Sequence, residues 1–546
     1  MHGNSPMQRH RVRRSITVVL VLCALAFTSA ASASLAEDIA ALLAPPAAQI
    51  ELAGAVLWST PYLRALYAAG EQAPLWNAQR LTLLRKAIAA SADDGLDPRD
   101  YLQDLLANGR GLRPAVAELL ATEALARLAF TLHFGKSNPH SLNPDFNYSR
   151  SFGTTAPADW LRRTITGDAL DANLADLRPT GAYYDALIAA LATHRALAAR
   201  GTWPQVGPGD TLKPGQHDSR IPALRARLAR SGDLALSAAA ASDTRYDDHL
   251  VTAVETFQRR HGLSVDGAVG RATLAALNVS VDERIAQIRI NLERIRWAFR
   301  DRSDEFVAVN IAAFEAVYFD DGVRRWRGRA IVGRPYRQTP IFKDEITYVE
   351  VNPTWTVPPT ILREDILPKL RRDPGYLRAH NLRVIDPNGG PISAASIDWS
   401  AVSAARFPYL LRQMPGPDNA LGRIKFMFPN PHAVYLHDTP ARTLFDRAER
   451  SFSSGCIRIE DPLTLAVLLL GDESRWDRAA LDRVIANGQT RRIDLPHKVP
   501  ILLLYLTAFP GEHGEFQFRR DIYARDPAVL AALDAPLRWV PLEMTP

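Results

Sequence analysis

Two residue types that can carry nucleophilic chemistry lie close together in the last quarter of the sequence. Cys456 ends the run SSGC, and His437 lies nineteen residues upstream in an apolar stretch. A thiol needs a base before it becomes a nucleophile, and imidazole is a common base for that step. Backbone N–H groups of a tight glycine turn can stabilise an oxyanion. The pattern predicts a cysteine acyl-transfer site within residues 435–462.

The residues between His437 and Cys456 are mostly polar, which indicates a loop that can bring thiol and imidazole together. We expect His437 to act as the base and to lower the pKa of the Cys456 thiol. The backbone amides of Gly455 and Cys456 are candidate oxyanion donors, since glycine lets a ligand approach closely. Arg458 carries a charge that suits a substrate carboxylate, and a structural role in the loop is equally open.

The N-terminus predicts a cleaved export signal, whose removal would leave Cys456 as the one cysteine of the mature protein. A basic segment, His10–Arg14, precedes the apolar run Ile16–Phe27, and small residues follow with Ala31-Ser32-Ala33 as the cleavage signal. This order is typical of a signal peptide, here residues 1–33, and predicts a periplasmic protein, with an uncleaved inner-membrane anchor as the alternative. Cys23 lies inside the apolar run. Cys456 is then the one mature cysteine, kept for chemistry or buried and inert.

Composition sets broad limits on the class of protein. A chain of 546 residues is too long for one core and predicts about three or four domains. Hydrophobic residues make up 47% of the sequence, enough for large cores. The net charge of +6 is a mild bias that suits an anionic surface such as a wall polymer. Outside the N-terminus no Lys/Arg block occurs, which argues against nucleic-acid binding.

The first half of the chain predicts two helical domains. Residues 36–200 carry apolar residues at three- and four-residue steps, as in a helical scaffold domain. The Pro- and Gly-rich segment Gly201–Gly215 predicts a linker. A compact three-helix unit follows over residues 216–280, and it contains an Asp266-Gly267 turn.

The second half predicts a β-rich catalytic domain over residues 304–510, followed by a C-terminal extension over 511–546. Short strands separated by turn signals give the chain a multidomain α+β class. The expected strands are Glu305–Ala312, Glu315–Phe319, Trp326–Val332, Ile346–Val351, Ile424–Met427, Ala433–Leu436 and Val499–Ala508, the last paired with Glu515–Phe518. An insertion of about 353–418 has helical signals, including Ser403–Gln413, and predicts a helical lid. Trp355 at its root is expected to flank a cleft or to pack in the core.

Two sequence patterns resemble known families. The run FQRRHGL with the following DG turn and TL..LN resembles the peptidoglycan-binding three-helix domain. The run YLHDTP…SSGCIR resembles the L,D-transpeptidases of the YkuD type, most closely the large periplasmic subgroup with a scaffold, a peptidoglycan-binding domain and an inserted lid. The segments 419–423 (NALGR) and Thr339-Pro340 also match. Ser454 stands where many family members have a second histidine, so the role of base falls to His437.

The resemblance implies a reaction and its residues. Cys456 would attack the third residue of a donor stem tetrapeptide and release D-alanine, and an amine of a neighbouring stem would then take the acyl group. His437 would move the protons, assisted by a backbone carbonyl, because Asp438 points to the other side of a strand. The resemblance further implies acylation by carbapenems and a role in wall biogenesis and cell shape. No cofactor or metal is expected, and other wall-synthesis enzymes are possible partners. The expected substrate-binding residues are Arg458, Tyr435, Ser454 and Trp355.

Other functions stay open at this point. Peptidoglycan-binding domains also accompany zinc peptidases, although the sequence lacks the H-E-x-x-H pattern. A thiol wall peptidase or carboxypeptidase and a non-catalytic wall-anchoring protein are the further alternatives. For a transferase, the acceptor is a second stem, a lipoprotein lysine or water.

Overall fold

The computed structural model describes residues 34–538 except for short gaps at 109–110, 149–155, 168, 236, 238–239, 300–302, 374, 404–406, 473 and 513. The signal-peptide prediction for 1–33 therefore lies outside the described residues. The chain divides into two compact units, one of residues 1–137, 149–181 and 530–546, the other of residues 138–148 and 182–529. Among the helices of the described residues, none combines the length and apolar character that crossing a membrane requires.

The helices are distributed along the whole described chain. Their bounds are α1 (34–43), α2 (Thr60–Ala68), α3 (Ala78–Ala90), α4 (Gln103–Ala107), α5 (Pro114–Phe134), α6 (Pro139–Leu142), α7 (Pro157–Thr166), α8 (Leu170–Ala175), α9 (Ala182–Ala199), α10 (Ile221–Arg230), α11 (Asp248–Arg260), α12 (Arg271–Leu277), α13 (Val281–Ala298), α14 (Pro359–Ile361), α15 (Leu367–Leu370), α16 (Tyr376–Ala379), α17 (Pro462–Leu470), α18 (Arg478–Ala486) and α19 (Asp526–Asp534). A π-helical turn, Leu362–Ile366, joins α14 to α15.

The strands concentrate in the second half of the chain. Their bounds are β1 (Ile50–Leu52), β2 (Ala55–Leu57), β3 (Phe306–Asn310), β4 (Glu315–Asp320), β5 (Val323–Gly333), β6 (Lys343–Val351), β7 (Trp355–Thr356), β8 (Leu382–Ile385), β9 (Pro391–Ile392), β10 (Leu410–Gln413), β11 (Ile424–Met427), β12 (Leu436–His437), β13 (Ser451–Ser453), β14 (Ile457–Ile459), β15 (Arg491–Leu504), β16 (Ala508–Pro510) and β17 (Phe516–Phe518).

The first unit is built around α5, which is buried along nearly its whole length. Its two buried carboxylates bind neighbouring backbone: Glu118 accepts from Leu75 N, and Glu123 accepts from Ser59 N. The sequence predicted only helices here, but β1 and β2 form a hairpin. Its turn residue Ala53 has a left-handed φ of 51°. The two paired runs are too short for the spacing of their apolar residues to distinguish a strand from a helix.

The three-helix unit of α10, α11 and α12 has an apolar core of its own, with Leu224, Val254 and Phe257 fully buried. The Gln258 side chain binds the Asp266-Gly267 turn through both its amide oxygen and its amide nitrogen. Its Oε1 accepts from Gly267 N at 3.0 Å, and its Nε2 donates to Asp266 Oδ1 at 2.8 Å. Part of the sequence signature of this domain therefore serves to hold the turn in place.

The catalytic domain is a sheet that closes on itself. The strand order is β13-β5-β14-β12-β11-β6-β15-β3-β4, and β4 also pairs with β5. Alternate residues of these strands point into one apolar core, shared with the buried helix α17. The helix α17 begins at Pro462, and Asp461 before it adopts a left-handed φ of 45° and makes no side-chain cap.

The insertion is mixed rather than helical, which corrects the sequence prediction. It contains a four-stranded sheet with the order β7-β10-β8-β9 as well as the helical stretch from α14 to α15. Residues 410–413 were predicted as helix, yet they form β10, paired with β8 and β7. Pairing with strands that are distant in sequence overrides the local spacing of apolar residues.

The C-terminal part differs from prediction in its pairing. β17 pairs with β16 in a separate two-stranded sheet, whereas the long strand β15 lies between β6 and β3. The predicted strand Val499–Ala508 is divided, because β15 ends at Leu504 and Ala508 begins β16, where it pairs with Phe518 of β17. Between the two strands, Thr507 Oγ1 accepts from Asn291 Nδ2 and donates to Asp526 Oδ2.

Candidate active site

The predicted base lies on β12, and the predicted nucleophile directly precedes the adjacent parallel strand β14. β12 is held between β11 and β14, and the register aligns Lys425, His437 and Arg458 in one row across the sheet. Alternation along a strand places Tyr435 on the face of His437, and Cys456 on the face of Arg458. Leu436, between Tyr435 and His437, is fully buried in the core behind them. The side chains of Tyr435, His437, Cys456 and Arg458 therefore share the face of the sheet opposite Leu436.

His437 is a buried, neutral imidazole with one nitrogen already engaged. Its Nδ1 lies 2.5 Å from Asp438 O, which fixes Nδ1–H as the donor and leaves Nε2 with a lone pair. Burial, together with the cations Arg458 and Lys425, lowers its pKa to about 3. The assisting group is thus a backbone carbonyl. The Asp438 carboxylate accepts from Arg423 N at 2.9 Å instead.

Cys456 is a half-buried thiol, and its sulfur lies 3.8 Å from Ala433 O. Burial raises its pKa, while the hydrogen bonds of Tyr435 and the charges of Arg458 and Lys425 act in the opposite direction. The sequence led us to expect a lowered thiol pKa, but desolvation is the larger effect. The resting site holds a neutral thiol and a neutral imidazole.

Tyr435 connects the nucleophile to the root of the insertion. Its hydroxyl lies beside both the Cys456 sulfur and the Trp355 indole, and burial raises its pKa above the ordinary value. Its ring centroid lies 5.7 Å from that of His437. Trp355 itself is half-buried on β7. The aromatic residue at the base of the insertion thereby borders the thiol.

The turn before Cys456 is held by Ser453. Its hydroxyl donates to Cys456 O at 2.6 Å and accepts from Gly455 N at 3.2 Å. Gly455 has a φ of 120°, a conformation that strongly favours glycine. Because the Gly455 amide is already bonded, its predicted role as an oxyanion donor is not supported. Within the described residues the Cys456 amide has no acceptor, which makes it the better candidate.

A second set of hydrogen bonds supports the turn from behind. Thr339 Oγ1 donates to Gly455 O at 2.8 Å and accepts from Gly333 N at 2.9 Å. The Tyr523 hydroxyl accepts from Thr339 N at 3.2 Å and donates to Gly333 O at 2.5 Å. Sequence reasoning noted Thr339 only as part of a matching motif and missed Tyr523. No local pattern connects Tyr523 to residues almost 190 positions away.

Arg458 is a mostly buried cation that lacks a counter-charge. Its Nε has no hydrogen-bond partner, and we find no ion pair for its guanidinium among the described residues. Burial lowers its pKa, whereas the nearby Cys456 raises it. A buried guanidinium without an acceptor suits an anionic group brought by a substrate. This geometry favours binding of a substrate carboxylate by Arg458 over a structural role in the loop.

Ser454 is exposed and takes part in a connection that the sequence did not predict. Arg337 Nη1 lies 2.8 Å from Ser454 Oγ and 2.7 Å from Asp365 Oδ2, and the other terminal nitrogen binds Glu364. Asp365 and Glu364 belong to the helical stretch of the insertion. A single arginine therefore joins the insertion to the turn that carries Cys456. We call this set the Arg337 bridge.

The remaining histidines near the site do not join it. His432 packs 4.9 Å from the Phe342 ring and lies 3.7 Å from Asp145. Across the residues that the structure describes, no group of three His, Cys, Asp or Glu side chains is placed to hold a metal ion.

Comparison with known proteins agrees with these domains. Residues 304–484 match the L,D-transpeptidase catalytic domain named YkuD, residues 61–191 match the scaffold domain, and residues 217–277 match the "Putative peptidoglycan binding domain". A Haemophilus influenzae protein named "Putative L,D-transpeptidase" is 40% identical over 220 residues, which cover 40% of this chain. The match spans only 44% of that relative.

Solved structures give weak similarity only. An L,D-transpeptidase from Xylanimonas cellulosilytica is 14% identical, with coverage of 54% of this chain and 98% of that one and a TM-score of 0.18. One from Stackebrandtia nassauensis is 12% identical, with coverage of 55% and 96% and a TM-score of 0.21. These scores are too low to argue from.

The domain matches confirm the family resemblance read from the sequence. The chain carries an L,D-transpeptidase catalytic domain of the YkuD family, a peptidoglycan-binding domain and a scaffold domain.

Proposed function

We propose that this protein is a peptidoglycan L,D-transpeptidase that cross-links the third residues of two stem peptides through a thioacyl-enzyme on Cys456. The observation that carries the proposal is the shared sheet face of Cys456, His437, Tyr435 and Arg458 within a domain of this family. The peptidoglycan-binding domain supports a wall substrate. A wall substrate and the N-terminal sequence together support a periplasmic location.

The first half-reaction transfers the acyl group to the enzyme. The Cys456 thiol gives its proton to His437 Nε2, and the sulfur attacks the carbonyl carbon of the donor's third residue. The oxygen gains negative charge and accepts from the Cys456 amide. The tetrahedral intermediate then collapses, the peptide bond to D-alanine breaks, and the leaving amine takes the proton from His437. Arg458 holds a carboxylate of the donor during these steps.

The second half-reaction returns the enzyme to its resting state. The acceptor amine attacks the thioacyl carbon, and His437 takes the proton that this amine loses. Collapse breaks the carbon–sulfur bond, forms the new amide, and the sulfur regains its proton from His437. With water in place of the amine, the same steps give a carboxypeptidase. Muropeptide analysis of cells with and without the protein identifies the acceptor.

Mass spectrometry with a carbapenem tests the proposal. We expect one covalent adduct, mapped by peptide digestion to the segment that contains Cys456 and unaffected by a chelator. An adduct elsewhere, or activity on stem peptides that a chelator removes, would contradict the thiol mechanism and favour a metal-dependent peptidase. A protein that binds peptidoglycan yet neither reacts with carbapenem nor processes stem peptides would be a wall-anchoring protein.

The acylation rate is expected to be independent of pH between about pH 5 and 8. Burial and two nearby cations lower the pKa of His437 to about 3, so the base stays neutral throughout this window. Burial raises the pKa of Cys456, so the thiol does not ionise there either. Time-resolved mass spectrometry at several pH values checks this. A sigmoidal rise centred near pH 6 to 7 would show instead that an ordinary histidine controls the rate.

Loss of the Arg337 bridge is expected to weaken productive substrate binding. In Arg337→Ala, kcat/KM for stem peptides should fall by about 3- to 10-fold, mostly through KM, because the insertion loses its tie to the turn at Ser454. Arg363→Ala is the matched control, since Arg363 binds Glu364 without reaching Ser454. Steady-state kinetics of both variants check the prediction, and equal losses in the two would contradict it.

A further inference from the structure

A cavity of about 340 Å³ lies away from the catalytic face, among α9, the peptidoglycan-binding helices α10 and α11, the helix α13 and β17. Its wall includes Trp203, Arg227, His261, Arg284 and Phe518. All of these elements belong to the second compact unit. The proposed transferase mechanism does not use this cavity, and part of its wall comes from the FQRRHGL run of the peptidoglycan-binding domain.

The cavity wall carries several buried hydrogen-bond donors that lack acceptors. Within the described part of the chain, the buried atoms Arg227 Nη1, Arg284 Nε and Trp203 Nε1 have no hydrogen-bond partner. The two arginines are 1% and 5% exposed. Arginine and tryptophan side chains can donate but cannot accept hydrogen bonds. Because buried polar groups in proteins are nearly always satisfied, three orphaned N–H groups on one cavity indicate a missing acceptor.

The charges on the wall point to the same missing group. Arg260 pairs with Asp233, at 2.7 and 2.8 Å, which neutralises that pair. Arg227 and Arg284 have no such partner. Burial lowers the pKa of Arg227 to about 10 and that of Arg284 to about 9. The carboxylate nearest in sequence, Glu283, is held by Ser280 in the capping box of α13.

The two histidines on the wall add no positive charge. His194 Nδ1 lies 2.7 Å from Ala190 O, and His261 Nδ1 lies 2.8 Å from Phe257 O. Burial lowers the pKa of both imidazoles below the ordinary value. Each ring is therefore neutral near pH 7. The unpaired guanidinium groups of Arg227 and Arg284 therefore give the wall a net positive charge. Burying these two charges costs free energy unless an anion binds beside them.

The guanidinium groups are fixed in position, as a binding site requires. Arg227 Nε donates to Leu277 O at 2.6 Å, and its guanidinium carbon lies 3.8 Å from the Trp203 ring centre. Arg284 Nη1 donates to Gln287 Oε1 at 2.8 Å. The remaining N–H groups are thus presented without freedom to turn toward solvent.

We propose that this cavity binds the anionic group, a carboxylate or a phosphate, of a small molecule. The lining also includes alanine residues of α9 and Phe516, which suit a compact uncharged group next to the anion. The volume is at the lower end of small-molecule sites. The site goes beyond the proposed transferase function, since it lies outside the row of Lys425, His437 and Arg458.

The test measures binding of two probes, inorganic phosphate and N-acetyl-D-alanine, to the full mature chain. Isothermal titration calorimetry and thermal unfolding are run at constant ionic strength. We expect saturable binding of at least one probe, together with a higher unfolding temperature at saturation. Binding of phosphate alone identifies a phosphate ligand, and binding of N-acetyl-D-alanine alone identifies a carboxylate ligand.

Variants connect the binding to the cavity. Arg227→Met and Arg284→Met should each weaken the affinity by about tenfold or more, because each removes a charged donor. Without the probe these variants should be as stable as the wild type, since each loses an unpaired buried charge. Arg225→Met is the matched control. Arg225 lies on α10 together with Arg227, is 2% exposed, and pairs with Asp247 outside the cavity.

Carbapenem labelling of Cys456 reports separately on the catalytic domain. The two cavity variants should be labelled like the wild type, so failure of this proposal is distinguishable from failure of the proposed function. No saturable binding of either probe through the millimolar range would overturn the anion site. Binding that survives unchanged in both cavity variants would overturn it as well.

Discussion

Cys456→Ala is expected to abolish both the carbapenem adduct and the processing of stem peptides. The described residues contain no other cysteine that could replace the thiol as nucleophile. Removal of a catalytic nucleophile lowers kcat by on the order of 10⁶-fold in well-studied acyl-transfer enzymes. Cys456→Ser should be equally inactive, because a neutral imidazole cannot ionise a hydroxyl as readily as a thiol.

Intact-mass measurement after incubation with carbapenem, and chromatography of the stem-peptide products, check this result. The thiol is half-buried, so its truncation should change the unfolding temperature by only a few degrees. That small shift is the control for folding. An adduct of unchanged yield in Cys456→Ala would contradict the assignment of the nucleophile.

His437→Gln is expected to lower the acylation rate by about 10²- to 10⁴-fold at neutral pH. Glutamine has a similar reach and keeps a polar group near Asp438 O, but it has no basic nitrogen. The thiol must then ionise without assistance, and burial raises its pKa. The rate of the variant should therefore rise about tenfold per pH unit between about pH 5 and 8, whereas the wild-type rate is flat in the same window.

This pH profile separates a base from a merely structural histidine. A structural role would lower the rate without changing its pH dependence. His432→Gln is the matched control, because His432 lies five residues upstream and packs on Phe342. Its acylation rate should stay within about threefold of the wild type. A flat profile in His437→Gln would contradict the role of His437 as base.

Much of the site follows from a short stretch of sequence. The SSGC run specifies its own turn, since Gly455 adopts a φ that other residues avoid and Ser453 bonds to both Gly455 and Cys456. Alternation along β12 places Tyr435 and His437 on one face without any knowledge of the fold. The fold class and the family could be predicted because strand periodicity and these motifs are local features.

The details that tune the chemistry required the tertiary structure. A lowered thiol pKa was a reasonable expectation from an adjacent histidine, but burial of Cys456 reverses the direction of the shift. The choice between the amides of Gly455 and Cys456 depended on which one Ser453 already binds. Desolvation and competition for one hydrogen bond are properties of the packed chain, and residue types alone do not reveal them.

Sequence reasoning was least informative where distant segments meet. Residues 410–413 have the spacing of a helix, yet pairing with β7 and β8 makes them a strand. Arg337 and Tyr523 support the turn of Cys456 from positions more than 60 residues away. The sequence by itself predicted which residues react, because their types and spacing are local. Only the tertiary structure decided their protonation, their supports and the insertion's sheet, because these depend on contacts between segments far apart in the chain.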